Sequence, residues 1–310
     1  MADLDEVCVL IPTLNEAATI GDVVAGFTSA GFASILVIDG GSADATVDIA
    51  AERGAEVVHQ SGTGKGAAVV EAMDHVDQPY VLMIDGDGTY RPADADAMLE
   101  PLLEGDADHV IGNRFADMEP GAMSMLNRIG NRLINRLFRV IHQYELHDIL
   151  TGYRAFSVGS FRELSLSATG FGIEAEMTGE AVRHGQRIVE VPISYHARPD
   201  MSDTKLRPIR DGAVILSTVY LIARMNNPLF FFGSVGGVGI LAGILVGLYV
   251  GYRWFVAGVS HEVLAVVSSF LIIFGFLLVM FGVLSDMIVS LHHEQRQRID
   301  RLRRQLERDD

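Results

Sequence analysis

Cysteine is almost missing. Cys8 is the single one among 310 residues, so neither a disulfide framework nor a cysteine-ligated metal cluster can be built, and its apolar neighbours make it a core residue. Lysine is nearly as scarce, with Lys65 and Lys205 standing against 22 arginines. Where lysine is disfavoured throughout, the two that remain become candidates for specific work. The first six residues are acidic where a cleavable signal needs positive charge, so no such signal is expected. No G-x-G-x-x-G follows the first apolar run, which argues against a dinucleotide dehydrogenase. The glycine-rich stretch Gly62-Thr63-Gly64-Lys65-Gly66 is not a Walker A loop: His59 stands where its first glycine belongs, and Gly66 replaces the magnesium-binding Ser or Thr. The net charge of −16 is that of a solvated acidic surface in a salt-rich cytoplasm, where salt screens self-repulsion, and no nucleic-acid partner is expected.

Long apolar runs are confined to the last third. Residues 229–256 and 263–291 are almost wholly apolar, and each is long enough to cross a hydrocarbon core about 30 Å thick. Two transmembrane helices are expected at 228–256 and 263–291, joined by a short turn and preceded by a membrane-proximal amphipathic segment at 207–227. Arg207, Arg210 and Arg224 precede the first and Arg296, Arg298, Arg301, Arg303 and Arg304 follow the second. The positive-inside rule then puts both termini, the domain at 1–206 and the charged helical tail at 292–310 in the cytoplasm of a two-span membrane protein. With no ionisable residue near their centres, the spans read as an anchor rather than a transport path. Gly236, Gly237, Gly239 and Gly243 could pack them together or make a homo-oligomer through the hairpin.

In the first two thirds, apolar strand-like runs alternate with helical periodicity: strands at 7–11, 34–38, 55–58, 79–84, 108–112 and 189–195, with helices between. That alternation specifies an α/β fold with a mostly parallel, doubly wound sheet. Asn15 and Asp44 are expected to cap the first two helices. Ligands of such sheets bind beyond the carboxyl ends of the strands, where 12–16, 39–42, 62–66 and 85–89 all fall. In the last of these an apolar run stops at Asp85-Gly86-Asp87. Two carboxylates one residue apart offer hard oxygen ligands suited to Mg²⁺ or Mn²⁺ on a diphosphate. An EF-hand is excluded by Tyr90 at its glycine position, Asp96 where Glu belongs, and the absence of a preceding helix. Lys65 is a candidate contact to the same ligand. Residues 121–143 form a helical pattern with Met125, Leu126, Ile129, Leu133, Leu137 and Ile141 on one face and Arg128, Arg132, Arg136 and Arg139 elsewhere. Such a helix suits a membrane interface or a sheet surface with solvated arginines; the pattern leaves both open.

Taken in order, Ile11-Pro12-Thr13-Leu14-Asn15-Glu16, Val37-Ile38-Asp39-Gly40-Gly41-Ser42, Asp85-Gly86-Asp87, Thr151-Gly152-Tyr153-Arg154 and the stretch from Arg198 to Lys205 resemble the family 2 inverting glycosyltransferases of the dolichyl-phosphate mannose and glucose synthase type. With the hairpin and the lysine-poor composition, the chain is most similar to the haloarchaeal dolichyl-phosphate hexosyltransferases of S-layer N-glycosylation. The resemblance implies a GT-A, Rossmann-like domain. It implies a nucleotide-sugar donor (UDP-glucose ahead of GDP-mannose), a dolichyl phosphate acceptor and a divalent metal, Mg²⁺ or Mn²⁺. The resemblance puts Pro12, Leu14, Glu16 and Asp39 on the base and ribose of the donor, Asp85 and Asp87 on its ribose and the metal, and Arg114 and Arg198 on the phosphates; Asn15, Gly41, Lys65 and Gly86, in the same loops, are further candidate donor contacts. Asp85, Asp87 and Thr89 would hold the metal, and Arg198, Lys205 and Arg154 the lipid phosphate. Gly40 stands where the family has a second Asp, and Thr89 near its usual Gln or Glu. Q-x-x-R-W is absent, which argues against a processive polysaccharide synthase.

An acceptor phosphate with a second pKa near 6 is already a nucleophile at neutral pH. The expected chemistry is a single in-line displacement at the sugar C1 with inversion. Asp87, Arg198 and Lys205 would position and neutralise charge, and Asp148 or Glu174 would be the fallback base. Transfer to a glycolipid hydroxyl would instead require a true base.

Overall fold

The computed structural model describes residues 4–142, 144–167, 170, 172–198, 213, 215–217, 220 and 227–309, with side chains described to residue 289. Its backbone divides into two units, Met1–Val219 and Tyr220–Asp310. In the first, seven strands form one sheet: β1 (Val7–Thr13), β2 (Ser34–Asp39), β3 (Glu56–His59), β4 (Tyr80–Met83), β5 (His109–Met118), β6 (Arg154–Ser157) and β7 (Ile188–Tyr195), in the order β3-β2-β1-β4-β6-β5-β7. All pairings are parallel except the two made by β6. The sheet is the mostly parallel one that the alternation implied. The six strands expected from the apolar runs do not include β6, which begins at Arg154 and is inserted antiparallel between β4 and β5.

Strand periodicity explains why helices cover both faces. Val7, Val9 and Ile11 of β1, Ile35 and Val37 of β2, and Leu82 and Ile84 in and just after β4 point to one side. There they pack on α1 (Ile20–Ser29) and α4 (Ala95–Leu103) through Val24, Phe27, Met98 and Leu99. The intervening Cys8, Leu10, Leu36, Ile38, Val81 and Met83 point to the other side, against Val69 and Ala72 of α3 (Lys65–Ala72) and Ile173 and Met177 of α7 (Ile173–His184). Helices α2 (Thr46–Glu52), α5 (Met125–His142) and α6 (Val158–Arg162) also belong to this unit.

Both cap expectations are corrected. The N-cap of α2 is Ala45, with no side-chain cap, and Asp44 stands one residue before it, accepting from the Thr46 N–H at 3.1 Å. Asn15 does not cap α1, which begins five residues later behind Thr19; it sits at φ +51° as part of a loop-to-loop clasp.

In the second unit, α8 (Pro228–Ala257) and α9 (Glu262–Asp309) run antiparallel. The segments Pro228–Ala257 and Glu262–Val289 are long and apolar enough to cross a membrane, with mean hydropathy 2.2 and 2.8. They touch along glycines. A Cβ on Gly236 would come within 2.5 Å of the Gly275 carbonyl, and one on Gly243 within 2.8 Å of the Ser268 carbonyl, while Ser268 donates to the Gly243 carbonyl at 2.7 Å.

Candidate active site

The four loops at the carboxyl ends of β1, β2, β3 and β4 are tied to one another by side chains that the local sequence supplies. After β1, the Asn15 N–H donates to Ser42 Oγ at 2.8 Å and its Oδ1 accepts from the Ala43 N–H at 2.7 Å. The Glu16 N–H donates to Thr46 Oγ1. After β2, Asp39 is buried and closes its own turn. Its Oδ2 accepts from the Gly41 and Ser42 N–H groups at 2.9 Å and its Oδ1 accepts from the Ser42 hydroxyl at 2.5 Å. Burial opposes ionisation of Asp39, but these hydrogen bonds from Ser42 and Gly41 outweigh it and hold the carboxyl below its usual range. Gly41 adopts φ +87°, which is why glycine stands there. Gly40 fills the position of the family's second Asp; a side chain there would meet the Thr13 carbonyl at 3.3 Å and Leu14 at 3.6 Å. Leu14 itself projects, partly exposed, over this end of the sheet.

The Asp85-Gly86-Asp87 turn is held from three sides. A Cβ on Gly86 would stand 2.8 Å from Thr13 Cγ2, and its carbonyl accepts from the Thr19 hydroxyl at 2.7 Å. Asp85 lies against Gly152, where any Cβ would collide with its carboxylate; the Gly152 N–H in turn donates to the Tyr90 hydroxyl at 3.0 Å. Lys65, at the start of α3, binds Asp85 Oδ1 and, at 2.6 Å, Glu174 Oε1. Burial works against the charge on this ammonium, but the Asp85 and Glu174 carboxylates outweigh it and raise its pKa. Asp87 Oδ1 accepts from the Thr89 hydroxyl at 2.6 Å, and its Oδ2 accepts from Arg198 at 2.7 Å. So Pro12 to Glu16, Asp39, Gly41, Lys65, Asp85, Gly86, Asp87 and Arg198 come together at one end of the sheet. Lys205 lies outside the described residues.

Four expected contacts are placed differently. Thr89 is buried and its hydroxyl donates to Asp87 at 2.6 Å, so it orients that carboxylate. Asp148 is fully buried and gripped by Arg114 through Nε at 2.7 Å and Nη2 at 2.8 Å. This carboxylate is a clamp, not a base facing substrate, and it occupies the guanidinium that was expected on the donor phosphates. Arg114 also donates to Asn131 of α5 at 3.0 Å and stacks over Tyr195. Arg154 is fully buried. It donates to the Thr151 and Ile149 carbonyls and the Thr178 hydroxyl, so it braces the turn that carries Gly152 and does not reach a lipid phosphate. Sequence reasoning missed Glu174 as the partner of Lys65; the rarity of lysine was the one signal toward it.

The two aspartates fit a divalent cation of the kind that keeps several waters and takes one or two carboxylates plus substrate phosphates. Among the described residues no cluster of three His, Cys, Asp or Glu side chains forms a complete metal cage. The donor diphosphate would have to complete the coordination.

The family model for "Glycosyl transferase family 2" matches residues 8–165, which covers every loop just described up to Arg154. The chain is a family 2 glycosyltransferase. It is 57% identical over 299 residues to the glycosyltransferase AglJ of Haloferax volcanii, covering 96% of this chain and 98% of that one. It is 34% identical over 215 residues to the dolichyl-phosphate hexose transferase of the same organism, covering 68% of this chain and 91% of that one. The fold matches glucosyl-3-phosphoglycerate synthase of Mycobacterium tuberculosis, solved with Mn²⁺ and UDP-glucose, with TM-score 0.59 at 22% identity over 70% of this chain and 78% of the other. The enzyme thus has the GT-A-like domain that its motifs implied.

Proposed function

We propose that this glycosyltransferase transfers a hexose from a nucleotide-diphosphate sugar, UDP-glucose first, to dolichyl phosphate at a membrane, giving the dolichyl-phosphate hexose with inversion for protein N-glycosylation. The observation that carries the acceptor assignment is the state of the candidate bases. Asp148 is closed in a two-pronged pair with Arg114, and Glu174 is bound to Lys65. A hydroxyl acceptor needs a base to take its proton, whereas a phosphate monoester is already largely ionised at pH 7. The work left to the protein is to hold two anions together and to stabilise the departing diphosphate.

Each part of the site has a task on this reading. The clasped loops after β1 and β2, with Leu14 and Asp39, form the cradle for the base and ribose. Asp85 and Asp87 would hold Mg²⁺ or Mn²⁺, which when bound supplies Lewis-acid stabilisation of the leaving diphosphate. Arg198, which donates to Asp87 Oδ2 at 2.7 Å, would grip a phosphate by its planar fork, with Lys205 as a second charge. Membrane residence is supported by the two apolar helices α8 and α9 and by the similarity to the Haloferax dolichyl-phosphate hexose transferase.

The test is to incubate purified full-length enzyme and dolichyl phosphate with a panel of nucleotide sugars and Mn²⁺ or Mg²⁺. UDP-glucose is expected to give a lipid-linked hexose, lost when chelator is added. Product from GDP-mannose alone would reassign the donor, and full turnover in chelator would remove the metal role.

A further inference from the structure

Helix α5 carries three stripes rather than two. Its inner stripe, Ile134, Phe138 and Ile141 with Asn131 and Asn135, is packed on the domain. A second stripe of Met125, Leu126, Ile129, Leu133 and Val140 faces outward, each side chain more than half exposed. Between these lie Arg128, Arg132 and Arg136, all exposed, and Arg139, half exposed and 3.8 Å from Glu145. The helix has no acidic residue, in a chain whose net charge is −16. An apolar strip of this size on a solvated surface marks a contact face, and local positive charge against an acidic background specifies the sign of what it meets. The same chain carries two helices long and apolar enough to cross a membrane.

We propose that the outer face of α5 lies in the interface of an anionic lipid bilayer. The apolar stripe would be sunk at the headgroup and acyl boundary, and the arginines laid on lipid phosphates. This does not depend on which donor or acceptor the enzyme uses. It carries a consequence for the site: the inner stripe of the same helix holds Arg114 through Asn131, and His147 and Ile149 on either side of Asp148 through Asn135, so a seated α5 would fix those residues relative to the membrane surface.

The experiment uses the full chain in lipid nanodiscs, with an environment-sensitive fluorophore on Leu133→Cys or Val140→Cys, and on Glu52→Cys of α2 as the solvent control. Native Cys8 is buried. In discs containing anionic lipid, the probes on α5 are expected to shift to the blue and to be quenched several-fold more by lipids carrying a shallow nitroxide than the probe at residue 52. Raising salt, or the triple change Arg128→Glu, Arg132→Glu and Arg136→Glu, should remove most of that difference, with circular dichroism confirming the fold. Equal quenching at the two places would overturn the proposal. So would a blue shift without lipid quenching, which would mean a second protein copy covers the face. Quenching indifferent to lipid charge and to the triple change would overturn the requirement for anionic lipid.

Discussion

At the level of single residues the site is a set of carboxylates, each with an assigned partner, and the predictions differ by partner. Asp87→Ala should leave the domain folded while lowering kcat by about a hundredfold to a thousandfold, the size of a lost charge-stabilising group; single-turnover kinetics with folding checked by circular dichroism would measure it. Lys65 and Glu174 together are neutral beside Asp85. Glu174→Gln should leave Lys65 uncompensated against Asp85 and weaken Mn²⁺ binding several-fold, read by electron paramagnetic resonance without any turnover. Unchanged Mn²⁺ affinity in a folded variant would detach Glu174 from the site. Asp148→Asn is the sharpest contrast between clamp and base. Breaking one side of a buried pair costs about 3–5 kcal/mol, so the variant should melt well below the wild type yet keep the shape of its pH–rate profile; loss of one limb of that profile would make Asp148 the base after all. Asp39 predicts an acid response. Its pKa is held down in the folded state, so its stabilisation is complete above the unfolded carboxylate value near about 3.9 and is lost as pH falls through the lower folded value. Asp39→Asn should flatten the acid side of a melting temperature against pH curve.

At the level of elements, most of the sheet could be read from the chain because buried parallel strands are short apolar runs ended by turn residues. Strand β6 could not. Arg154-Ala155-Phe156-Ser157 opens with an arginine that reads as solvated, and only the carbonyls of Ile149 and Thr151 with the Thr178 hydroxyl, distant or looping in sequence, make its burial possible. The same limit hid the roles of Asp148 and Glu174, since an ion-pair partner 34 or 109 residues away leaves no local pattern. The motifs located the site; they did not say which charged residues face substrate and which hold the walls. In the hairpin, Gly236, Gly243 and Gly275 serve contact between α8 and α9 within one chain, while Gly237 faces open space. Gly275→Leu should therefore lower the thermal stability of the solubilised enzyme, and Gly237→Leu should leave it unchanged.

At the scale of the whole molecule, a GT-A-like domain and an apolar helical pair lie on one chain, and the enzyme's 57% identity to the Haloferax glycosyltransferase spans both. The domain supplies cations and a carboxylate pair at one end of its sheet, with its two best candidate bases locked in ion pairs. The central claim is that the acceptor brings its own negative charge to the reaction. It is tested most directly by offering the purified enzyme equal amounts of dolichyl phosphate and unphosphorylated dolichol with the same nucleotide sugar, and identifying lipid products by mass spectrometry. The account predicts hexose on dolichyl phosphate alone. Hexose on the hydroxyl of dolichol at a comparable rate would contradict it.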